Sequence, residues 1–188
     1  MKSKIALLCL LAAGSTSVFA QTYNIEPSHT YPSFEADHMG ISFWRGKFNK
    51  TSGTVVLDRA AKTGSLDIAI DAASIDFGHD KMNEHARNAD LFNVEKYPTI
   101  TYKSKSIKYK GDTPSEVDGE LTLLGVTKPV KLTINSFKCI EHPMLKREVC
   151  GADASGEFKR SDFGMNYGLP RFSPNVKLAI QVEALKAD

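Results

Sequence analysis

His38, His79 and His85, with Asp76, Asp80, Glu84 and Asp90 nearby in the chain, are the residue types from which a metal or acid–base site could be built. Their spacing argues against it. His79 and His85 are six apart, so on one helix they point in different directions, unlike the i, i+4 pair of a helical zinc motif. His38 ends an apolar strand face, where a hydrogen-bonded core histidine is the expected role. No serine sits in a G-x-S-x-G context, and the chain is read as having no catalytic residue and no metal ligand set. Cys139 and Cys150 are the remaining reactive pair. They flank Ile140 to Val149, a stretch with His142-Pro143 and several charges, and in an oxidising compartment a disulfide closing that loop is expected. A loop of this size would contribute on the order of 3 kcal/mol by restricting the unfolded chain.

The compartment follows from the first twenty residues. Lys2 and Lys4 precede an apolar run from Ile5 to Ala13, and small residues lead to Val18 and Ala20. This is the pattern of a secretory signal peptide cleaved after Ala20, so residues 1–20 are a leader and residues 21–188 one exported domain. The apolar run is about half of what a membrane span needs. Cys9 lacks the preceding small residue that lipid attachment would use. The formal charge of +2 is carried by Lys2 and Lys4, so the domain itself has no net field to recruit nucleic acid.

The elements that must position any site are strands. Phe34, Ala36 and His38 alternate with polar neighbours, as do Leu66, Ile68 and Ile70. The same period of two recurs at Trp44/Gly46/Phe48, Ile100/Tyr102, Val117/Gly119/Leu121/Leu123, Val130/Leu132/Ile134, 154–158 and Val176/Leu178/Ile180/Val182. That makes about eight strands. Only Asp80 to Asn88 reads as a helix, with Asp80 available as its cap, and it must lie over a barrel mouth or a sheet face. The expected fold is all-β: a single antiparallel barrel of about eight strands with one short helix, because closure removes exposed strand edges. Its inner face should carry Phe34, Ala36, Trp44, Phe48, Leu66, Ile68, Ile70, Leu121, Leu123, Val130, Leu132, Leu178 and Ile180, since a one-residue slip would turn them all outward. The glycines at 46, 119 and 156 either open space inside or relieve strand coiling. The aromatics Phe34, Phe43, Trp44, Phe48, Phe77, Phe92, Tyr97, Tyr102, Phe158 and Phe163 together permit an apolar pocket.

Five blocks of sequence carry a resemblance: residues 38–48 (HMGISFWRGKF), 73–78 (ASIDFG), 85–98 from His85 through Asp90-Leu91-Phe92 to Tyr97-Pro98, 119–130 (GELTLLGVTKPV) and 160–164 (RSDFG). In content, order and spacing the chain resembles the YceI-like family of periplasmic, lipocalin-like proteins described as polyisoprenoid-binding. The resemblance implies a barrel with an apolar tunnel holding an isoprenoid lipid such as a quinone or prenyl pyrophosphate, with no further cofactor. With the inner face and the aromatics read above, ligand contact is expected of Phe34, Ala36, His38, Trp44, Phe48, Phe77, His85, Arg87, Phe92, Tyr102, Leu121, Leu123, Phe158 and Phe163. Arg45, Lys81, Arg87, Arg160 and His85 are the polar candidates at the mouth. The chain departs from the family where an Arg-Asp pair usually precedes the helix histidine: here stand Met82-Asn83, and Ala86 replaces a usual leucine. Losing that arginine weakens an anionic head-group site, and Ala86 is expected to enlarge the cavity.

Three function classes stay open at this level. One is a carrier sequestering an isoprenoid lipid, one an enzyme acting on such a lipid with His38 or His85 as acid–base, and one an accessory module docking to a membrane redox partner. Expected partners are the lipid itself, a membrane or membrane protein met transiently at the barrel rim, and a second copy in a homodimer.

Overall fold

The computed structural model describes residues 20–188, so the expected leader, apart from Ala20, lies outside the described residues. The chain forms strands β1 (Gln21–Ile25), β2 (Tyr31–His38), β3 (Ser42–Phe48), β4 (Thr51–Asp58), β5 (Thr63–Asp71) and β6 (Ile75–Asp76), then helix α1 (Asp80–Arg87). It continues with β7 (Thr99–Lys110), β8 (Thr113–Leu123), β9 (Val126–Glu141), β10 (Glu148–Lys159) and β11 (Asn175–Lys186). All pairings are antiparallel, and β1 pairing with β11 closes the order β1-β4-β5-β7-β8-β9-β10-β11 into a ring of eight. β2, β3 and β6 extend this ring. β11 pairs with β2 over Val176–Gln181 and with β1 over Ala184–Lys186, so β1 and β2 lie end to end as one interrupted strand. β3 and β4 do the same beside them, and β6 prolongs β5.

The break between β1 and β2 comes at Pro27, which cannot donate to a ladder. Thr30 repairs the gap. Its hydroxyl donates to Glu183 O and accepts from Glu183 N–H, both at 3.1 Å, and Glu26 N–H donates to the same carbonyl. Gly53 marks a second irregularity in β4. It has φ +139, and a Cβ there would lie 2.1 Å from Asp67 O, so only glycine fits. β1 is only five residues long and β4 is interrupted by Gly53 and the consecutive Val55-Val56, so both escape a period-two reading, yet the number of barrel positions agrees with the expected eight.

The helix is one residue shorter than expected and is capped differently. His79 is the N-cap, its Nδ1 accepting from Met82 N–H at 3.2 Å, while Asp80 begins the first turn. α1 lies over one end of the barrel, where Met82 and His85, three apart and so on one face, look into the interior.

Candidate functional site

The barrel encloses a cavity of about 510 Å³, within the range of about 300–1,000 Å³ usual for small-molecule sites. All thirteen side chains expected on the inner face line it. Its floor is formed by Tyr23, Leu57, Cys150 and Ala184, all buried, and below them the Tyr23 hydroxyl, Arg59 and Glu148 form a hydrogen-bonded cluster. Midway up, the Tyr102 hydroxyl donates to Val130 O at 2.9 Å. Burial, and secondarily the Asp118 charge, push its pKa well above the ordinary tyrosine value, so it stays a neutral donor. Thr51 Oγ1, on the same wall, is buried without a hydrogen-bond partner.

Toward the helix an aromatic cluster narrows the space. Phe34 meets Phe77 edge-on at 5.6 Å, Phe48 at 6.0 Å and Phe92 at 6.4 Å, and Trp44 meets Phe77 at 5.7 Å. The inward glycines do not open space, because neighbouring atoms already occupy the place of a side chain. A Cβ at Gly46 would sit 2.7 Å from the Phe34 ζ carbon, and one at Gly119 2.4 Å from the Tyr102 ring and hydroxyl. At Gly156 the close neighbours are Lys131 O at 2.8 Å and a Leu132 methyl at 2.9 Å.

The mouth is built by the end of β2, the start of β3, α1 and the loop 164–174. Arg160 positions that loop. Its buried guanidinium donates to Met165 O and Tyr167 O, each at 2.9 Å, and to Ser173 O at 3.3 Å, and burial lowers its pKa. Asp37 holds the loop from the other side, accepting from Ser173 N–H at 3.1 Å. The loop thereby delivers two rings to two histidines: Phe172 lies 5.5 Å from His38, and Tyr167 lies 5.1 Å from His85. His85 Nδ1 is 3.0 Å from the Asn88 amide; with Asn88 donating, the neutral ring carries its proton on Nε2. His38 is half-buried at this rim and packs on Trp44 at 5.5 Å, so it is a mouth residue rather than a hydrogen-bonded core histidine.

Of the residues assigned to ligand contact, Phe34, Ala36, His38, Trp44, Phe48 and Phe77 lie on the cavity wall, as do His85, Phe92, Tyr102, Leu121, Leu123 and Phe158. Arg87 and Phe163 do not. Arg87 is five positions past Met82, which rotates it off the inward face, and its guanidinium donates to Ala73 O and Ile75 O. Phe163 is 2% exposed and packs edge-on against Phe158 at 5.3 Å, one layer behind the wall. Ala86 is likewise buried in the packed core and adds nothing to the cavity. Among the other mouth candidates, Arg45 is exposed and paired with Glu35 at 2.7 Å, and Lys81 is exposed. Met82, where the resemblance puts an arginine, lines the cavity. Periodicity missed Tyr23, Ile25, Val55 and Leu57 of β1 and β4, and also Met165, Tyr167 and Phe172, which sit in a loop with no repeat where the 160–164 block just ahead is the sequence signal nearby.

Cys139 and Cys150 are joined by a disulfide and face each other in register on β9 and β10. The bridge staples two strands, where only closure of a loop was expected, and Cys150 forms part of the cavity floor. Glu148 lies beside both sulfurs, but bonded to each other they offer no thiolate to a metal.

A closed antiparallel barrel of eight strands around an apolar cavity, with a single helix at its mouth, places the protein in the lipocalin-like class. A family model described as the YceI-like domain matches residues 23–184, and the chain belongs to that family. It is 32% identical to Protein YceI of Escherichia coli over 178 residues, covering 94% of this chain and 92% of the relative. It is also 32% identical to a UPF0312 protein of Pectobacterium atrosepticum over 185 residues, covering 98% and 95%. Among solved structures it is similar to a YceI protein of Campylobacter jejuni, with a TM-score of 0.67 and 26% identity over 80% of this chain and 90% of that one. The fold is also shared with a structure described as a polyisoprenoid binding domain from Saccharophagus degradans, with a TM-score of 0.62 and 15% identity over 89% and 99% of the two chains.

Proposed function

We propose that this protein is an exported, periplasmic carrier that binds a long-chain isoprenoid with an uncharged head group, a polyprenyl quinone in preference to a prenyl pyrophosphate. The observation that carries the reading is the charge inventory of the cavity. Among the described residues the formally charged wall side chains are Asp37, a carboxylate at the mouth, and Arg160, whose guanidinium is already engaged by three backbone carbonyls. On that wall a pyrophosphate head would meet a like charge and no unengaged guanidinium, forgoing a charge-assisted hydrogen bond worth about 1.5–3 kcal/mol, and the exposed cations Lys81 and Arg171 lie outside it. A quinone carbonyl needs only a neutral donor, which His85 Nε2–H or the Tyr167 hydroxyl supplies. The apolar wall favours the chain, at roughly 0.8 kcal/mol per buried methylene before association costs. The description of the Saccharophagus degradans domain as polyisoprenoid-binding supports the same ligand class. The leader and the disulfide support export.

An acid–base enzyme is less well supported. Among the described residues, histidine–carboxylate contacts occur at His29, with Glu26 and Glu183, and not at His38 or His85. Lipid extraction of protein purified from its own periplasm identifies the ligand by mass, and competition between a quinone and a prenyl pyrophosphate of equal chain length tests the head-group preference. Quinone is expected to win; a tenfold preference for pyrophosphate would refute the reading.

A further inference from the structure

We propose that the β2–β3 hairpin is a membrane-docking element through which the cavity is loaded directly from a lipid bilayer, an inference that rests on the carrier reading above. Ile41 is 79% exposed, Phe43 54%, Tyr167 48% and Met39 39%, a cluster of large apolar side chains on one rim. Single exposed apolar residues are ordinary on soluble proteins, but three on one turn, joined by a fourth on the neighbouring loop, mark a surface made for apolar company.

The tip is held in shape. Asp37 accepts from Gly40 N–H at 2.9 Å, Ile41 N–H donates to His38 O at 3.1 Å, and Met39 and Gly40 both take positive φ. The turn thus displays its side chains instead of folding them back.

Continuity with the cavity identifies the occupant as a lipid surface. The residues flanking the exposed tip, His38 and Trp44, are themselves cavity wall, so the tip borders the cavity mouth directly. With the tip seated in a bilayer, an isoprenoid would leave the membrane at the cavity mouth itself. Two cations adjoin the same mouth, Lys81 next to Met82 and Arg171 next to Phe172. Both are exposed and enter no ion pair among the described residues, which suits anionic lipid head groups.

A second apolar tip exists at the opposite end, where Met144 is 82% exposed and Ile140 and Leu145 49% each. It lacks both features. The buried floor lies between it and the cavity, and its cations Lys146 and Arg147 are paired with Glu141 and Asp188. That tip is the natural control.

The test compares the wild type, Ile41→Ser/Phe43→Ser and Met144→Ser/Leu145→Ser. Three readouts are needed: co-sedimentation of the ligand-free protein with 3:1 phosphatidylethanolamine:phosphatidylglycerol vesicles, the rate of long-chain polyprenyl quinone uptake from them, and affinity for a short-chain prenyl quinone added from solution. The hairpin variant should lose vesicle binding and slow uptake tenfold or more, with short-chain affinity within twofold of wild type; the control should match wild type throughout. Ile41→Trp should increase co-sedimentation, a gain that damage to folding would not produce. Wild-type uptake by the hairpin variant, equal slowing by the control variant, or a wild type that does not bind vesicles would each overturn docking. A wild type that sediments with vesicles but binds no quinone overturns the carrier reading and leaves docking standing.

Discussion

Replacing Gly119 by alanine tests how the barrel interior is filled. The added Cβ would lie 2.4 Å from both the Tyr102 ζ carbon and its hydroxyl oxygen, and 2.9 Å from Lys103 O. Carbonyl oxygens of the ladder move little, so the ring must yield. It is tied by its hydrogen bond to Val130 O, and displacing it forfeits about 0.5–1.5 kcal/mol on top of an overpacking strain of about 1–3 kcal/mol. Gly119→Ala should therefore lose about 2–4 kcal/mol and lower Tm by about 5–15 °C. Urea unfolding with the disulfide oxidised, followed by the fluorescence of Trp44, the single tryptophan, measures it. Tyr102→Leu removes the clashing ring, so the double variant should be at least about 1 kcal/mol more stable than the two single losses predict together. A Gly119→Ala protein within about 0.5 kcal/mol of wild type, or an additive cycle, would refute the packing argument.

Other sites give separate tests. Arg160→Met orphans carbonyls of the loop 164–174 and should cost about 1.5–3 kcal/mol, with faster amide exchange confined at first to that loop and faster ligand release; unchanged exchange there would contradict the clamp. Removing the bridge with Cys139→Ala/Cys150→Ala should cost about 2–4 kcal/mol in denaturant unfolding, and a loss under about 0.5 kcal/mol would show that the hairpin needs no staple. Gly78 N–H and the amides of Asn83 and Asn49 donate to Asp76 and hold its carboxyl below the ordinary value of 3.8. A depressed folded pKa gives a stability contribution present above that value and lost as pH falls through the lower, folded one. Asp76→Asn should thus flatten the acid limb of a stability profile below about pH 4, and an unchanged limb would exclude Asp76 as a contributor.

The barrel and most of its wall were legible in the chain because alternation is a local property. Phe34, Ala36 and their partners around the ring could face inward together in only one phase of each strand, and each phase is written in the residues themselves. The pairing of Cys139 with Cys150 followed from their being the two cysteines beyond residue 20. What each inward position does was decided by tertiary structure. Gly46 and Gly119 read equally as open space or as strand relief until the register set Phe34 and Tyr102 against them. Arg87 and Arg160 read as mouth cations until their guanidiniums were found on backbone carbonyls. Tyr167 and Phe172 reach the mouth only because Arg160 and Asp37 fix a loop that has no period of its own. Phase along a strand is encoded within a few neighbouring residues, whereas a cavity's shape and charge depend on which distant segments meet, and that is settled only when the barrel closes.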